Sequence, residues 1–295
     1  MRIEIIGAGA VGLLVASFLV EQQVDVTLIT RRQLPKEQKI MRTNSDGTLT
    51  DDLHVLVATE LSGKADLIIV AVKYGDLQNV YAQLKTSDVT IPVLFVQNGL
   101  AHYEEALQLP QQHIAFSSVQ FGAQKLEAFH VAHKGIGVMK LAVGRGDEML
   151  FRPLLNYAQQ QLPITFEVDA EAMLLEKALL NCFINPLTAI LQVKNGQLIA
   201  ENNAFQLLKN LYNEITTVFP HYGKTFQFEQ VVALCEKTAE NTSSMLADRL
   251  AGRATEADTI VAPILKKATQ QNQSMPVLQT LYLLVKALEE SGEKM

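Results

Sequence analysis

Two groups of residues in this chain have types and spacing that can do chemistry. The first is Gly7-Ala8-Gly9-Ala10-Val11-Gly12, a G-x-G-x-x-G pattern. Such a loop cradles phosphates. Gly7 permits a tight turn, Gly9 lets the backbone approach a pyrophosphate, and Gly12 allows a helix to pack closely on a strand. The helix start in the loop offers free N–H groups and the positive end of its dipole to an anion, so Ala8, Ala10 and Val11 belong to the same contact. The second group is Lys177, Asn181 and Asn185, each four residues from the next. On a helix of 3.6 residues per turn they form one ridge. Leu174, Leu175, Ala178, Leu179, Leu180, Phe183 and Ile184 surround them, so the helix is apolar on most sides and is expected to be buried. Buried polar groups need partners, because each orphan costs about 1–3 kcal/mol. A substrate carbonyl and carboxylate would satisfy them. A lysine reaching out to solvent and asparagines bonded to neighbouring helices would do so equally well.

Residues near the loop narrow its ligand. An NAD site places Asp or Glu about 20 residues past the glycines, to hold the ribose 2′-hydroxyl. This chain has Thr30-Arg31-Arg32 there. A carboxylate would repel a 2′-phosphate, whereas a guanidinium pairs with one bidentately. The expected cofactor is therefore NADP(H), with Arg31 as its main phosphate contact and Arg32 equally readable as a solvated charge. Lys73 and Asn98 each follow an apolar strand pattern, 66–72 and 91–96. Ligands of doubly wound sheets bind beside such carboxyl ends. Three further segments carry polar groups. Asn195-Gly196 reads as a turn. Residues 240–246, Glu-Asn-Thr-Ser-Ser-Met-Leu, bring two serine hydroxyls together. Residues 254–258 open a helix, with Thr255 or an earlier residue as its cap and Glu256 favourable to its dipole.

Other candidates read as structural. His130 and His133 form H-x-x-H, but positions i and i+3 of a strand face opposite sides, so no metal is expected. Cys182 points to another helix face from Asn181 and reads as a buried thiol. Phe205, Phe219, Phe226 and Phe228 read as core.

The elements that must position these groups follow from hydrophobic periodicity. Arg2–Ile6 is a strand, 13–22 a helix and 25–30 a second strand, which begins a parallel sheet. Residues 49–57 form a strand or hairpin arm, and 66–72 and 91–96 are buried strands flanking a helix over 76–85. Residues 115–143 read as strands punctuated by glycine, 150–161 as a helix and 164–168 as a last strand. Helical spacing then dominates, over 174–191, 204–222, 228–240, 255–271 and 277–290. The expected organisation is an α/β domain with a parallel sheet, residues 1–168, followed by an all-helical domain, residues 169–295.

Composition bounds the function. The 295 residues are 48% apolar and 19% charged, a globular composition large enough for about two domains. With 25 basic and 31 acidic residues the formal charge is −6, which argues against nucleic acid as a partner. Two cysteines cannot make a disulfide scaffold and suit a reducing compartment. The N-terminus lacks the basic start and cleavage site of a signal peptide. No apolar stretch is expected to approach the ~20 residues that span a bilayer. The expectation is a soluble cytoplasmic protein with no membrane partner.

Along its full length the chain resembles the ketopantoate reductases, NADPH-dependent enzymes of pantothenate and coenzyme A synthesis. The segments that carry the resemblance are Gly7 to Gly12, residues 177–190 (Lys-Ala-Leu-Leu-Asn-Cys-Phe-Ile-Asn-Pro-Leu-Thr-Ala-Ile), Asn195-Gly196, residues 240–246 and Thr255-Glu256. The resemblance implies a Rossmann domain, then a helical domain similar to that of 6-phosphogluconate dehydrogenase, with the active site in the cleft between them. It assigns the glycine loop and Arg31 to the cofactor, with Lys73 and Asn98 beside it. It implies Lys177 as general acid, with Asn98, Lys177, Asn181, Asn185, Asn195 and Ser244 as substrate-binding positions. Glu256 is implied as the carboxylate that supports the reacting centre. Burial would lower the pKa of Lys177 and a nearby Glu256 would raise it. The chain has Leu175-Glu176 where relatives often have an aromatic-basic pair. The implied reaction is reduction of 2-dehydropantoate (ketopantoate) to (R)-pantoate. Reduction of another branched 2-keto acid and a non-catalytic NADP(H) sensor are the alternatives. A homodimer is possible.

Overall fold

The computed structural model describes residues 1–291, apart from the Thr225 side chain, so the last four residues of the expected 169–295 domain lie outside the described residues. The chain forms two compact units. The first comprises residues 1–97 and 102–174, and the second residues 98–101 and 175–295.

The first unit is built on one sheet of eleven strands. Its centre is parallel: β1 (Arg2–Ile6) lies between β2 (Asp25–Ile29) and β5 (Leu67–Val70). Beyond β2 lies β4 (Leu49–Ala58), and beyond β5 come β6 (Val93–Phe95) and β7 (Ile114–Val119), all parallel to their inner neighbours. From β1 the chain runs first to one side and then to the other, so the strand order reverses beside β1. Ligands of such sheets bind at that reversal, outside the carboxyl ends of the strands. The margins of the sheet are partly antiparallel. β3 (Glu37–Thr43) turns back on β4, β10 (Met139–Arg145) pairs antiparallel with β7, and β11 (Ile164–Phe166) follows β10 in parallel. β9 (His130–Gly135) joins β3, and β8 (Gly122–Glu127) closes that side.

Helix α1 (Ala10–Glu21) buries Leu13, Leu14, Val15, Ala16, Phe18 and Leu19 against this sheet. It is apolar on nearly every side, which only a covered helix tolerates. It starts three residues earlier than the pattern predicts, because Gly12 lies inside its first turn. Two short helices follow, α2 (Leu77–Lys85) and α3 (Ala101–Ala106). The helix expected over 150–161 is instead a pair of 3₁₀ turns, Glu148–Leu150 and Arg152–Tyr157. Phe151 and Leu154 are buried there at a spacing of three, the repeat of a 3₁₀ turn.

The second unit is helical: α4 (Ala170–Leu191), α5 (Gln197–Ala200), α6 (Asn202–Val218), α7 (Pro220–Thr225), α8 (Phe228–Lys237), α9 (Ser244–Leu250), α10 (Ala257–Gln270) and α11 (Pro276–Glu290). Its core gathers Leu179, Phe183, Leu187, Leu208, Leu211, Ile215, Ile264 and Leu278. The helix expected over 204–222 breaks before Pro220, where Phe219 takes φ −118° and ψ 68°. Proline disfavours a helical conformation in the residue before it. Helix α4 runs on through Pro186, although proline leaves the carbonyl four residues earlier, that of Cys182, without its helical partner. At 22 residues α4 is long and apolar enough to cross a bilayer by length and composition, contrary to the expectation from sequence, yet 61% of its most apolar window is buried in the protein.

Candidate functional site

In the first unit the glycine loop is closely constrained by the strand ends beside it. Gly7 has φ +112°, and a Cβ there would lie 2.9 Å from Val72 Cγ1. A Cβ on Gly12 would collide with the Gly7 carbonyl oxygen, so only glycine lets α1 close down on the strand end. Gly9 differs. It is exposed, and the nearest atom to a Cβ there is the Ala71 carbonyl oxygen at 3.9 Å. The Leu13 N–H donates to the Gly9 carbonyl at 2.9 Å. The amides of Ala10, Val11 and Gly12 precede that bond, so they are the donors a helix start leaves over. No acidic side chain occupies the first turn of α1. Open space over Gly9, spare amides and an uncompensated dipole fit the diphosphate of a dinucleotide.

Arg31 stands just past β2, largely exposed, and its Nη1 donates to Asp76 Oδ1 at 2.8 Å. The Thr30 hydroxyl donates to the Arg32 carbonyl at 2.9 Å, which fixes the turn. Asp76 was not singled out by sequence. Only the return of the chain after β5 brings it to Arg31. Lys73 follows β5, and the backbone beside it is held by Gln97, whose buried Nε2 donates to the carbonyls of Val70 and Val72 at 2.8 and 2.9 Å. Gln97 is a second contributor the sequence reading missed. Its signal was a polar residue directly at the end of an apolar strand.

The second unit carries the polar ridge. Lys177, Asn181 and Asn185 all lie on α4, at the four-residue spacing that gives them one face. Asn185 is buried, while Lys177 and Asn181 keep part of their surfaces open. Burial pulls the Lys177 amine below the ordinary lysine value, and the negative charge of Glu256 acts against that shift. Of the two opposed effects, desolvation wins. Glu256 is half-buried and immediately precedes α10, at its N-cap position. Its Oε2 accepts from Asn98 Nδ2 at 3.2 Å. The Asn98 segment is anchored on the same helix start: the Leu100 N–H donates to the Thr259 carbonyl at 2.9 Å, and a Cβ on Gly99 would strike that oxygen. Asn98, Glu256 and the charge of Lys177 therefore belong to one electrostatic group.

Asn195 and Ser244 sit close to the same helix. Asn195 is buried; its Nδ2 donates to Thr238 Oγ1 at 3.0 Å, and its Oδ1 has no partner among the described residues. The Asn195 N–H donates to the Asn241 carbonyl at 3.2 Å, which draws 240–246 toward the end of α4. The two serines of that segment then divide their roles. Ser243 is buried, caps α9 by accepting from the Leu246 N–H at 3.1 Å, and shares a 2.7 Å hydrogen bond with Thr188. Thr188 in turn donates to the Asn185 carbonyl at 3.0 Å. Ser244 is left exposed at the start of α9.

The remaining candidates are structural. His133 is buried against Phe18, while His130 bonds Thr43 at 3.0 Å, so the two do not converge. No cluster of three metal-ligating side chains exists among the described residues. Cys182 is fully buried and its thiol is pushed far up by desolvation, which keeps it protonated.

The chain matches the family description "Ketopantoate reductase PanE/ApbA" over residues 3–146 and "Ketopantoate reductase PanE/ApbA C terminal" over residues 169–289. It is 34% identical over 305 residues to the 2-dehydropantoate 2-reductase of Bacillus subtilis (strain 168), covering 100% of this chain and 99% of that protein. It is 34% identical over 301 residues to that of Listeria innocua, covering 100% and 98%. A crystal structure described as a probable 2-dehydropantoate 2-reductase from Bacillus subtilis superposes with a TM-score of 0.87 at 33% identity, covering 98% of this chain and all of the other. A D-mandelate dehydrogenase solved with NADH and anilino(oxo)acetate shares the fold, with a TM-score of 0.83 at 23% identity over both whole chains. On two family matches that together take in most of its length, and on full-length relatives at 34% identity, this chain belongs to the ketopantoate reductase family.

Proposed function

We propose that this protein reduces 2-dehydropantoate to (R)-pantoate with NADPH. The observation that carries the reading is Lys177. It is a desolvated amine on a mostly apolar helix, under the charge of Glu256, in a chain whose full-length relatives are 2-dehydropantoate 2-reductases. The glycine loop from Gly7 to Gly12 would hold the cofactor's diphosphate and Arg31 its 2′-phosphate, with Lys73 and Asn98 beside the cofactor. The absence of an acidic side chain from the first turn of α1 supports a dinucleotide, and the arginine past β2 in place of a carboxylate supports NADP(H). Residues 1–168 are thus read as the cofactor-binding domain and residues 169–295 as the domain that binds substrate.

Bound NADPH supplies a hydride to the keto carbon. Negative charge then grows on the carbonyl oxygen, and Lys177 stabilises it and donates its Nζ proton, which completes the hydroxyl. A pKa drawn down by burial makes that donation easier, while the charge of Glu256 favours the protonated amine. Asn181, Asn185, Asn195 and Ser244 orient the substrate's carboxylate and hydroxyl by hydrogen bonds. The orphan Asn195 Oδ1 is an acceptor suited to a hydroxyl donor.

The test mixes purified protein with NADPH and ketopantoate and follows the nicotinamide absorbance band, with NADH and other branched 2-keto acids as controls. Rapid oxidation confined to NADPH and ketopantoate is the expected result. Faster turnover of another keto acid would move the substrate assignment. NADPH binding without oxidation of any substrate would support a sensor. A homodimer, left open by the sequence, would sediment at twice the 32.6 kDa chain mass.

A further inference from the structure

Strand β8 places one lysine against the glycine loop. Lys125 Nζ donates to the Ala8 carbonyl at 2.8 Å, across 117 residues of sequence. The placement follows from the strand. Ala123 packs on the core that includes α1, and side chains two apart on a strand share a face. The register is regular from Ala123 through Lys125, which are paired with His133 and Val131. The lysine is therefore aimed along α1 toward its N-terminal loop.

The electrostatics of this placement call for an anion. The start of α1 carries the positive end of its dipole, with no acidic residue in its first turn. Lys125 adds a full positive charge beside it, and holding a long side chain there costs rotamer entropy. Among the described residues Lys125 has no ion-pair partner, and a single carbonyl uses one of the three donors of an ammonium. Two like charges gathered at one loop favour a doubly charged group between them. We propose that Lys125 is a further cofactor-binding residue, contacting the diphosphate common to NADPH and NADH. This rests on the dinucleotide reading of the loop.

The assignment differs from that of Arg31 in a measurable way. A diphosphate contact serves both cofactors, whereas a 2′-phosphate contact serves only NADPH. The experiment titrates NADPH and NADH by nicotinamide fluorescence into the native protein, Lys125→Met and Lys125→Arg, at several salt concentrations, with the unliganded Tm measured for each. Lys125→Met is expected to raise both dissociation constants by a similar factor, about tenfold, as for one charge-assisted hydrogen bond. It should also flatten the dependence of binding on salt, while Lys125→Arg retains most of the affinity and both unliganded Tm values stay near native. Unchanged affinity in Lys125→Met overturns the proposal. So does a loss confined to NADPH, which would place Lys125 at the 2′-phosphate, or a fall in Tm with unaltered binding, which would make it a tether for β8. If the native protein bound neither cofactor, the dinucleotide reading itself would fall, and that result is distinct from a native protein that binds while Lys125→Met binds equally well.

Discussion

The glycine loop and the α4 ridge are two solutions to holding polar chemistry on an apolar helix. The loop works through backbone. Its side chains are hydrogen or methyl at five of the six positions, and its donors are the amides a helix start leaves unpaired. The ridge works through side chains on the interior of a helix, where every amide is already used. A backbone site is specified almost entirely by what must be absent, namely a Cβ at Gly7 or Gly12. A side-chain site is specified by what must be present around it. Lys177 has its acidic neighbour because Glu256 immediately precedes α10, and Glu256 is oriented by Asn98.

The contrast breaks most sharply at Lys177. Lys177→Ala should lower kcat by about 10³-fold, within the usual range for a general acid, and leave the NADPH dissociation constant within about twofold. Stopped-flow turnover and fluorescence titration read the two separately, and equal losses in both would count against the assignment. Arg31→Ala should do the reverse, weakening NADPH by roughly 10- to 100-fold, the worth of charge-assisted bonds to one phosphate, with NADH unaffected.

Within the loop, two glycines should separate binding from folding. Gly9→Ala adds a Cβ to open space, so it should weaken both cofactors about tenfold while shifting stability by under about 1 kcal/mol. Gly12→Ala meets the Gly7 carbonyl and should destabilise the protein by about 1–3 kcal/mol. Urea unfolding of both variants checks the pair, and equal stabilities would mean that α1 can draw back from β1.

The smallest effect is one of pH. Activity should fall as Lys177 loses its proton, at a pH below the ordinary lysine range, because desolvation depresses its pKa. Glu256 raises that pKa, so Glu256→Gln should move the basic limb of the kcat profile to lower pH. A shift to higher pH would show that Glu256 is not the charge acting on Lys177.

Much of this was legible in the sequence, and the misses have more than one cause. The loop, the strands around it and the long helices follow from patterns contained within a few residues. The marginal strand β3 was missed because Glu37, Gln38, Lys39 and Arg42 give it no apolar run; it exists because β4 and β9 pair with its two edges. The single helix expected over 204–222 overlooked Pro220, whose local signal was present. The hydroxyl pair at Ser243 and Ser244 was visible, but not which serine caps α9 and which stays exposed.

Local chain chemistry was enough for the glycine loop, through glycine sterics, and for the ridge of Lys177, Asn181 and Asn185, through helical period. Both rules act over less than three turns of helix. Tertiary structure decided the partners: Asp76 on Arg31, 45 residues apart, and Asn98 on Glu256, 158 residues apart. It also decided the direction of the Lys177 pKa, since desolvation depends on every element packed around the amine. Such encounters are fixed by packing between elements distant in the chain, and no local pattern carries them.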